Sequence, residues 1–224
     1  MTKSPLRPIC LLADSILLFS KKGDGSFYLA EARALLSGDD PLAVYLGVSN
    51  EDRPEYFELF KTAMANIGIE RSVHLRHPYG AAAFQMLRSA KLILLAGGDP
   101  IKGWAALQQS GMAECIREQY RAGALLMGIS AGAIQLGMGT LWKGFYTPML
   151  QLLPYYFDAH QEKDNWQRLR KELTKAEVLR SGIGIHSGGG IWFHPDGTKE
   201  IMGRASIELI PAKDADTLSE NVLK

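Results

Sequence analysis

Four short, almost wholly apolar runs, at residues 42–47, 73–75, 91–96 and 125–128, constrain the fold more than any other feature of the sequence. Each has the length of a buried strand and is too short for a helix. Between them lie segments with helical spacing. Over 53–67, Tyr56, Phe57, Phe60, Ala63, Met64 and Ile67 recur every three or four residues. A short helix is expected over 81–89, and a longer one over 104–120 with Gly111 inside it. Upstream, 9–19 reads as a strand running into a hairpin at Lys22-Gly23-Asp24-Gly25, and 28–36 has helical character. Strands that are apolar on both faces must be covered on both faces. The alternation therefore predicts an α/β fold, a three-layer α/β/α sandwich around a mostly parallel sheet. Such sheets gather their chemistry at the carboxyl ends of the strands, so the turns after Ala96 and Met127 are the first candidates.

The last third has a different rhythm. Residues 162–179 are polar and helix-forming, 183–185 and 190–193 read as strands, His194-Pro195-Asp196-Gly197 as a turn, and 200–210 as returning strands. This predicts an antiparallel edge or a continuation of the same sheet. With no linker or internal repeat, residues 1–224 are expected to form a single domain.

Composition narrows the function. There are 25 basic and 24 acidic residues, so charge gives no reason to expect nucleic acid or a membrane surface as partner. Cys10 and Cys115 form no CxxC pair and are expected to be small buried apolar residues. Lys3, Arg7 and the following apolar run look superficially like a signal peptide, but Asp14 interrupts the run and no small-x-small cleavage site follows. No stretch approaches the roughly 18 apolar residues of a membrane span. A soluble, cytoplasmic monomer or homodimer is expected. The histidines show neither HxH nor HExxH spacing, and the glycines after residue 181 are followed by no βαβ unit. We therefore expect no metal and no cofactor.

The strongest chemical signal is Gly128-Ile129-Ser130-Ala131-Gly132. It matches the G-x-S-x-G nucleophile elbow, with an apolar strand before it and a small-residue helix after it. Such a turn exposes the serine oxygen and offers backbone N–H groups to a developing oxyanion. The second signal is Leu94-Leu95-Ala96-Gly97-Gly98-Asp99-Pro100, where glycines at a strand end let backbone approach a ligand. The third is Phe157-Asp158-Ala159-His160. A serine nucleophile needs a base, and spacing leaves His160 and His186 open, with His160 preferred. Arg168, soon after His160, has the fork to hold a substrate carboxylate.

In this order the motifs resemble the peptidase E and cyanophycinase family of serine peptidases, whose fold is like that of class I glutamine amidotransferases. The resemblance runs from about Leu42 to Ile191 and is carried by AVYLGVSNEDRPEYFELFKTAMANIGI, LLAGGDP, GISAGA and DAH followed by WQRLRKEL. It implies Ser130 as nucleophile, His160 as base, and Gly98 and Ala131 as oxyanion donors; apart from the resemblance, Asp99 in the glycine loop and Arg168 are expected at the substrate. Family members carry the triad acid between serine and histidine, but residues 131–157 contain no Asp or Glu. Asp158, two residues from His160 and on the same face of a strand, is the first candidate to orient the base, then Glu162 and Asp164. Ala159, Asp164 and Trp166 stand where the cyanophycin-cleaving pattern has Gln and arginines, which argues against cyanophycin. The expectation is a hydrolase that cleaves an amide in a small peptide, aspartyl dipeptides among the candidates, through an acyl-enzyme. The missing acid motivates a second reading, a relative that has lost catalysis and binds a small molecule or a protein. An esterase using the same serine is a third.

Overall fold

The computed structural model describes residues 6–175, 180–212 and 217–224. In chain order the elements are β1 (Ile9–Leu12), α1 (Ala30–Leu35), β2 (Ala43–Leu46), α2 (Pro54–Asn66), β3 (Ser72–Leu75), α3 (Ala81–Ser89), β4 (Leu92–Leu95), α4 (Pro100–Gln109), α5 (Met112–Arg121), β5 (Leu125–Ile129) and α6 (Ala131–Leu136). They continue with β6 (Gly139–Trp142), β7 (Phe145–Pro148), β8 (Tyr156–Ala159), α7 (Gln167–Lys175), β9 (Gly182–Ile185), β10 (Gly189–Phe193), β11 (Lys199–Gly203), β12 (Ser206–Pro211) and β13 (Leu218–Leu223).

The main sheet has seven strands in the order β11-β10-β1-β5-β4-β2-β3. β1, β5, β4, β2 and β3 run parallel, and β10 and β11 extend the β1 edge antiparallel. Successive side chains of a strand point to opposite faces, so each apolar run feeds two cores. Leu11, Val44, Leu46, Ile93, Leu95 and Leu126 pack on one face with residues of α3 to α6. Leu12, Tyr45, Leu94 and Met127 pack on the other with Ala32 of α1 and Phe60 and Met64 of α2. This is the three-layer α/β/α arrangement. Among the described residues, no helix is long and apolar enough to cross a membrane.

Four expectations need correction. The first strand ends at Leu12, because Asp14 turns the chain by accepting the Ile16 N–H at 3.0 Å, and a short 3-10 turn follows. The expected helix over 104–120 is two helices. It begins at Pro100 and breaks at Gly111, whose φ of +79° no helix interior accommodates. The polar helix begins at Gln167, preceded by a 3-10 turn at Glu162–Asp164, and the end expected for it, 176–179, lies outside the described residues. The returning strands split. β11 joins the main sheet, whereas β12 belongs to a second sheet, β13-β12-β9-β8, which carries α7 on one side. The β6–β7 hairpin had no clear sequence signal.

Glu172 of α7 joins that helix to the hairpin. It is buried, and accepts from Thr140 Oγ1 and from the Leu141 N–H at 3.2 Å. Burial pushes its carboxyl from 4.5 up to about 7. The folded protein therefore holds this proton more tightly than the unfolded chain. The stability it contributes is complete below about pH 4.5 and is lost as pH rises through about 7, a change of up to roughly 3 kcal/mol. Glu172→Gln is expected to flatten the pH dependence of urea midpoints between about pH 5 and 8. An unchanged slope would show that Glu172 does not set it.

Candidate active site

The parallel register brings the ends of neighbouring strands side by side. Leu95 of β4 lies opposite Gly128 of β5, and Leu12 of β1 opposite Ile129. The turns after β1, β2, β4 and β5 therefore meet at one rim, where Ser130 sits between β5 and α6. Its backbone has φ +49° and ψ −105°, a conformation that non-glycine residues avoid. Such strain costs on the order of 1–3 kcal/mol and persists only where the surroundings impose it. Here the Ser130 N–H is held by the Leu12 carbonyl at 2.9 Å. The helix then doubles back so closely that a Cβ on Gly132 would lie 2.0 Å from the Leu95 carbonyl oxygen. Only glycine fits.

The loop after β4 is wedged in a similar way. Gly98 has φ +131°, and a Cβ there would meet the Ser49 carbonyl oxygen at 2.0 Å. That carbonyl accepts the Asp99 N–H at 2.8 Å. Gln135 of α6 is buried and donates to Ser49 Oγ at 3.0 Å and to the Pro100 carbonyl at 3.1 Å, tying the turns after β2 and β4 to α6. Ser49 and Gln135 had no place in the sequence reading. The only hint was one amide among the small apolar residues of α6. Among the described residues, the N–H groups of Gly98 and Ala131 donate to no protein acceptor.

The base candidate arrives from the second sheet. His160 follows β8 with φ +47°, its N–H bonded to the Ile185 carbonyl at 2.9 Å. Its Nε2 lies 2.8 Å from Ser130 Oγ. With the imidazole proton on Nδ1, the serine hydroxyl donates to Nε2. The other histidines lie elsewhere. His186 packs edge-on against Trp166, His74 pairs with Asp52 at 3.3 Å and stacks on Phe57, His77 packs on Tyr79, and His194 lies 3.7 Å from Glu200.

Comparison with known proteins places the chain in a family. A family model for peptidase family S51 matches residues 31–201 of the 224. The chain belongs to peptidase family S51. It is a serine-type peptidase. It is 24% identical over 210 residues to peptidase E of Streptomyces coelicolor, covering 84% of this chain and 83% of that one. The crystal structure of a peptidase from an acI-B1 Actinobacterium superposes with a TM-score of 0.72 at 20% identity, over 98% of this chain and 94% of the other. A Listeria monocytogenes EGD-e protein assigned provisionally to peptidase E gives 0.66 at 15% identity, over 89% of this chain and all of its own.

In this S51 peptidase four expected site residues are placed differently. Asp158 does not bond His160. On β8 its side chain faces α7, where it takes a two-point ion pair from Arg168 and the Ala159 N–H at 2.8 Å. The strand-alternation argument fails because the positive φ of His160 breaks the alternation. Burial pushes the Asp158 carboxyl upward, against the pull of Arg168. Arg168 is thereby committed to a structural pair and lines a groove on the α7 side, away from Ser130. Asp99 caps α4, accepting the Ile101 and Lys102 N–H groups at 2.9 and 3.0 Å, and does not line the serine cavity. Glu162 accepts the Ser187 N–H at 3.4 Å, while its Oε2 is buried without a partner among the described residues. Among those residues, His160 hydrogen-bonds to no carboxylate.

Ser130 and His160 open onto a cavity of about 350 Å³. Asp14, noted in the sequence only for interrupting an apolar run, lies in its wall and accepts from Ser187 Oγ at 2.6 Å and the Gly188 N–H at 2.9 Å. Tyr45 also lines it, its hydroxyl accepting from Asn50 at 2.8 Å and its pKa pushed up to about 12 by burial. Tyr45 is thus a neutral phenol at any physiological pH. No group of three or more His, Cys, Asp or Glu among the described residues is arranged to hold a metal ion.

Proposed function

We propose that this peptidase cleaves an amide of a small peptide through an acyl-enzyme, with the turn at Ser130 acting as a nucleophile elbow. The observation that carries this reading is the 2.8 Å approach of His160 Nε2 to Ser130 Oγ on a strained backbone. Ser130 Oγ attacks the scissile carbonyl carbon as its proton passes to His160 Nε2. The oxyanion is received by the N–H groups of Gly98 and Ala131, which are wedged in place before substrate arrives. The C–N bond then breaks, and the amine leaves with the proton from His160. Water, deprotonated by the same imidazole, hydrolyses the ester and restores Ser130. Each of these steps uses only side chains and backbone of the chain itself, together with water. Of the first two carboxylates expected to orient His160, Glu162 is the better candidate, since it keeps a free oxygen while Asp158 is consumed by Arg168.

A fluorophosphonate probe tests the reading. Folded wild-type protein is expected to label covalently and Ser130→Ala to stay unlabelled. Equal labelling of the two would rule Ser130 out. One observation favours the second reading, a binding protein without turnover: His160 Nδ1 has no carboxylate partner among the described residues. Peptide turnover that disappears in Ser130→Ala would eliminate it.

A further inference from the structure

We infer that the residue acylating Ser130 is an N-terminal amino acid with a large apolar side chain, not an acidic one. This rests on the reading of Ser130 as nucleophile and names the substrate class of that site. The cavity beside Ser130 is walled by Leu18, Tyr45, Tyr56, Leu59, Phe60 and Ile129. Its volume of about 350 Å³ is near the lower end for small-molecule pockets, enough for one amino acid with a branched or aromatic side chain. Tyr56 and Leu59 are more than 40% exposed, so the mouth of the cavity presents apolar surface that a ligand would cover.

Charge decides against an acidic side chain. Apart from His160, the only ionisable carboxylate or base among the lining residues is Asp14, an anion. Its partners are neutral: the Ile16 and Gly188 N–H groups and the Ser187 hydroxyl. An aspartyl side chain in this cavity would lose its hydration, find no Lys or Arg among the residues that line it, and face a like charge. A free α-ammonium fits the same place, since Asp14 is the complementary charge. Arg204 packs on Gly188 behind Asp14 without lining the cavity, and two further basic residues belong to a neighbouring groove across Gly98. There Arg53 is paired with Glu55 at 2.9 Å and Lys102 with Glu51 at 3.7 Å. Neither lines the cavity. The aspartyl dipeptide suggested by sequence resemblance is therefore the substrate that this wall disfavours.

Isothermal titration of Ser130→Ala with Phe-Gly, Asp-Gly and Gly-Phe reads the pocket without the chemistry. Phe-Gly is expected to bind at least tenfold more tightly than either of the others. Wild-type kcat/KM is expected to favour Phe-Gly over Asp-Gly by at least a hundredfold. A Tyr56→Arg change in the Ser130→Ala background supplies the missing cation and should narrow or reverse the binding preference. Asp-Gly binding as well as Phe-Gly, Gly-Phe binding best, or no binding of any of the three up to millimolar concentration would each overturn the inference. The two proposals fail separately. Labelled Ser130 with an acidic preference sinks only the substrate class. An apolar preference in a protein that never labels sinks only the catalytic reading.

Discussion

Replacing His160 by alanine is expected to lower kcat/KM for a cleaved peptide by roughly 10⁴-fold or more, with little effect on stability. The size follows from the role proposed for the imidazole. A serine hydroxyl is a poor nucleophile near neutral pH, and without a base within hydrogen-bond reach its proton has no acceptor in the transition state. In the proposed mechanism the same imidazole protonates the departing amine, so one substitution disables two proton transfers. The small stability effect follows from position, since His160 is exposed on a turn and its side chain bonds only to Ser130 among the described residues. Residues that act as a unit are non-additive. The double variant Ser130→Ala/His160→Ala should therefore be no worse than either single change. Steady-state kinetics on the three proteins checks this. A loss of less than tenfold for His160→Ala, or fully additive losses, would mean that the 2.8 Å contact is not the working pair.

The second large effect is structural. Gly132→Ala places a methyl group where the Leu95 carbonyl oxygen would be 2.0 Å away and its carbon 2.6 Å. Both are backbone atoms of β4, in the middle of the sheet, and cannot swing aside as a flexible side chain can. Either β4 or α6 must shift, and overpacking of this kind costs about 3 kcal/mol or more. At 2–4 °C per kcal/mol for a chain of this size, melting should fall by roughly 6–12 °C. Activity should fall with it, because the displaced segment carries both Ser130 and the Ala131 N–H. Gly23→Ala is the control. A Cβ there meets nothing within 4 Å, and its melting temperature should stay within about 2 °C of wild type. Thermal melts followed by circular dichroism distinguish the two. Equal stability of Gly132→Ala and wild type would show that the close approach does not hold the turn.

The parts of this molecule legible in its sequence are those set by local periodicity. Residues 42–47, 91–96 and 125–128 could be read as buried strands because apolar side chains on both faces leave few other solutions. The serine turn was legible because small residues on both sides of a serine have few uses between a strand and a helix. What could not be read depended on partners distant in sequence. Whether Asp158 faces His160 or Arg168 is decided by one backbone angle after β8 and by the packing of α7. Asp99 followed by proline has the pattern of a helix cap, and its place in the glycine loop drew attention to substrate instead. The break at Gly111 was visible as a residue but not as a conformation. Gln135 and Ser49 stand 86 positions apart, and no periodicity joins them.

The wall around Ser130 is drawn from two distant parts of the chain. Tyr45, Tyr56, Leu59 and Phe60 come from β2 and α2, early in the chain, whereas the serine and the histidine enter after β5 and β8. Most of the apolar wall and the Ser130–His160 pair are thus encoded in separate stretches of sequence. Substitutions confined to one early strand and helix are expected to change which side chain the cavity accepts while leaving Ser130 and His160 in place.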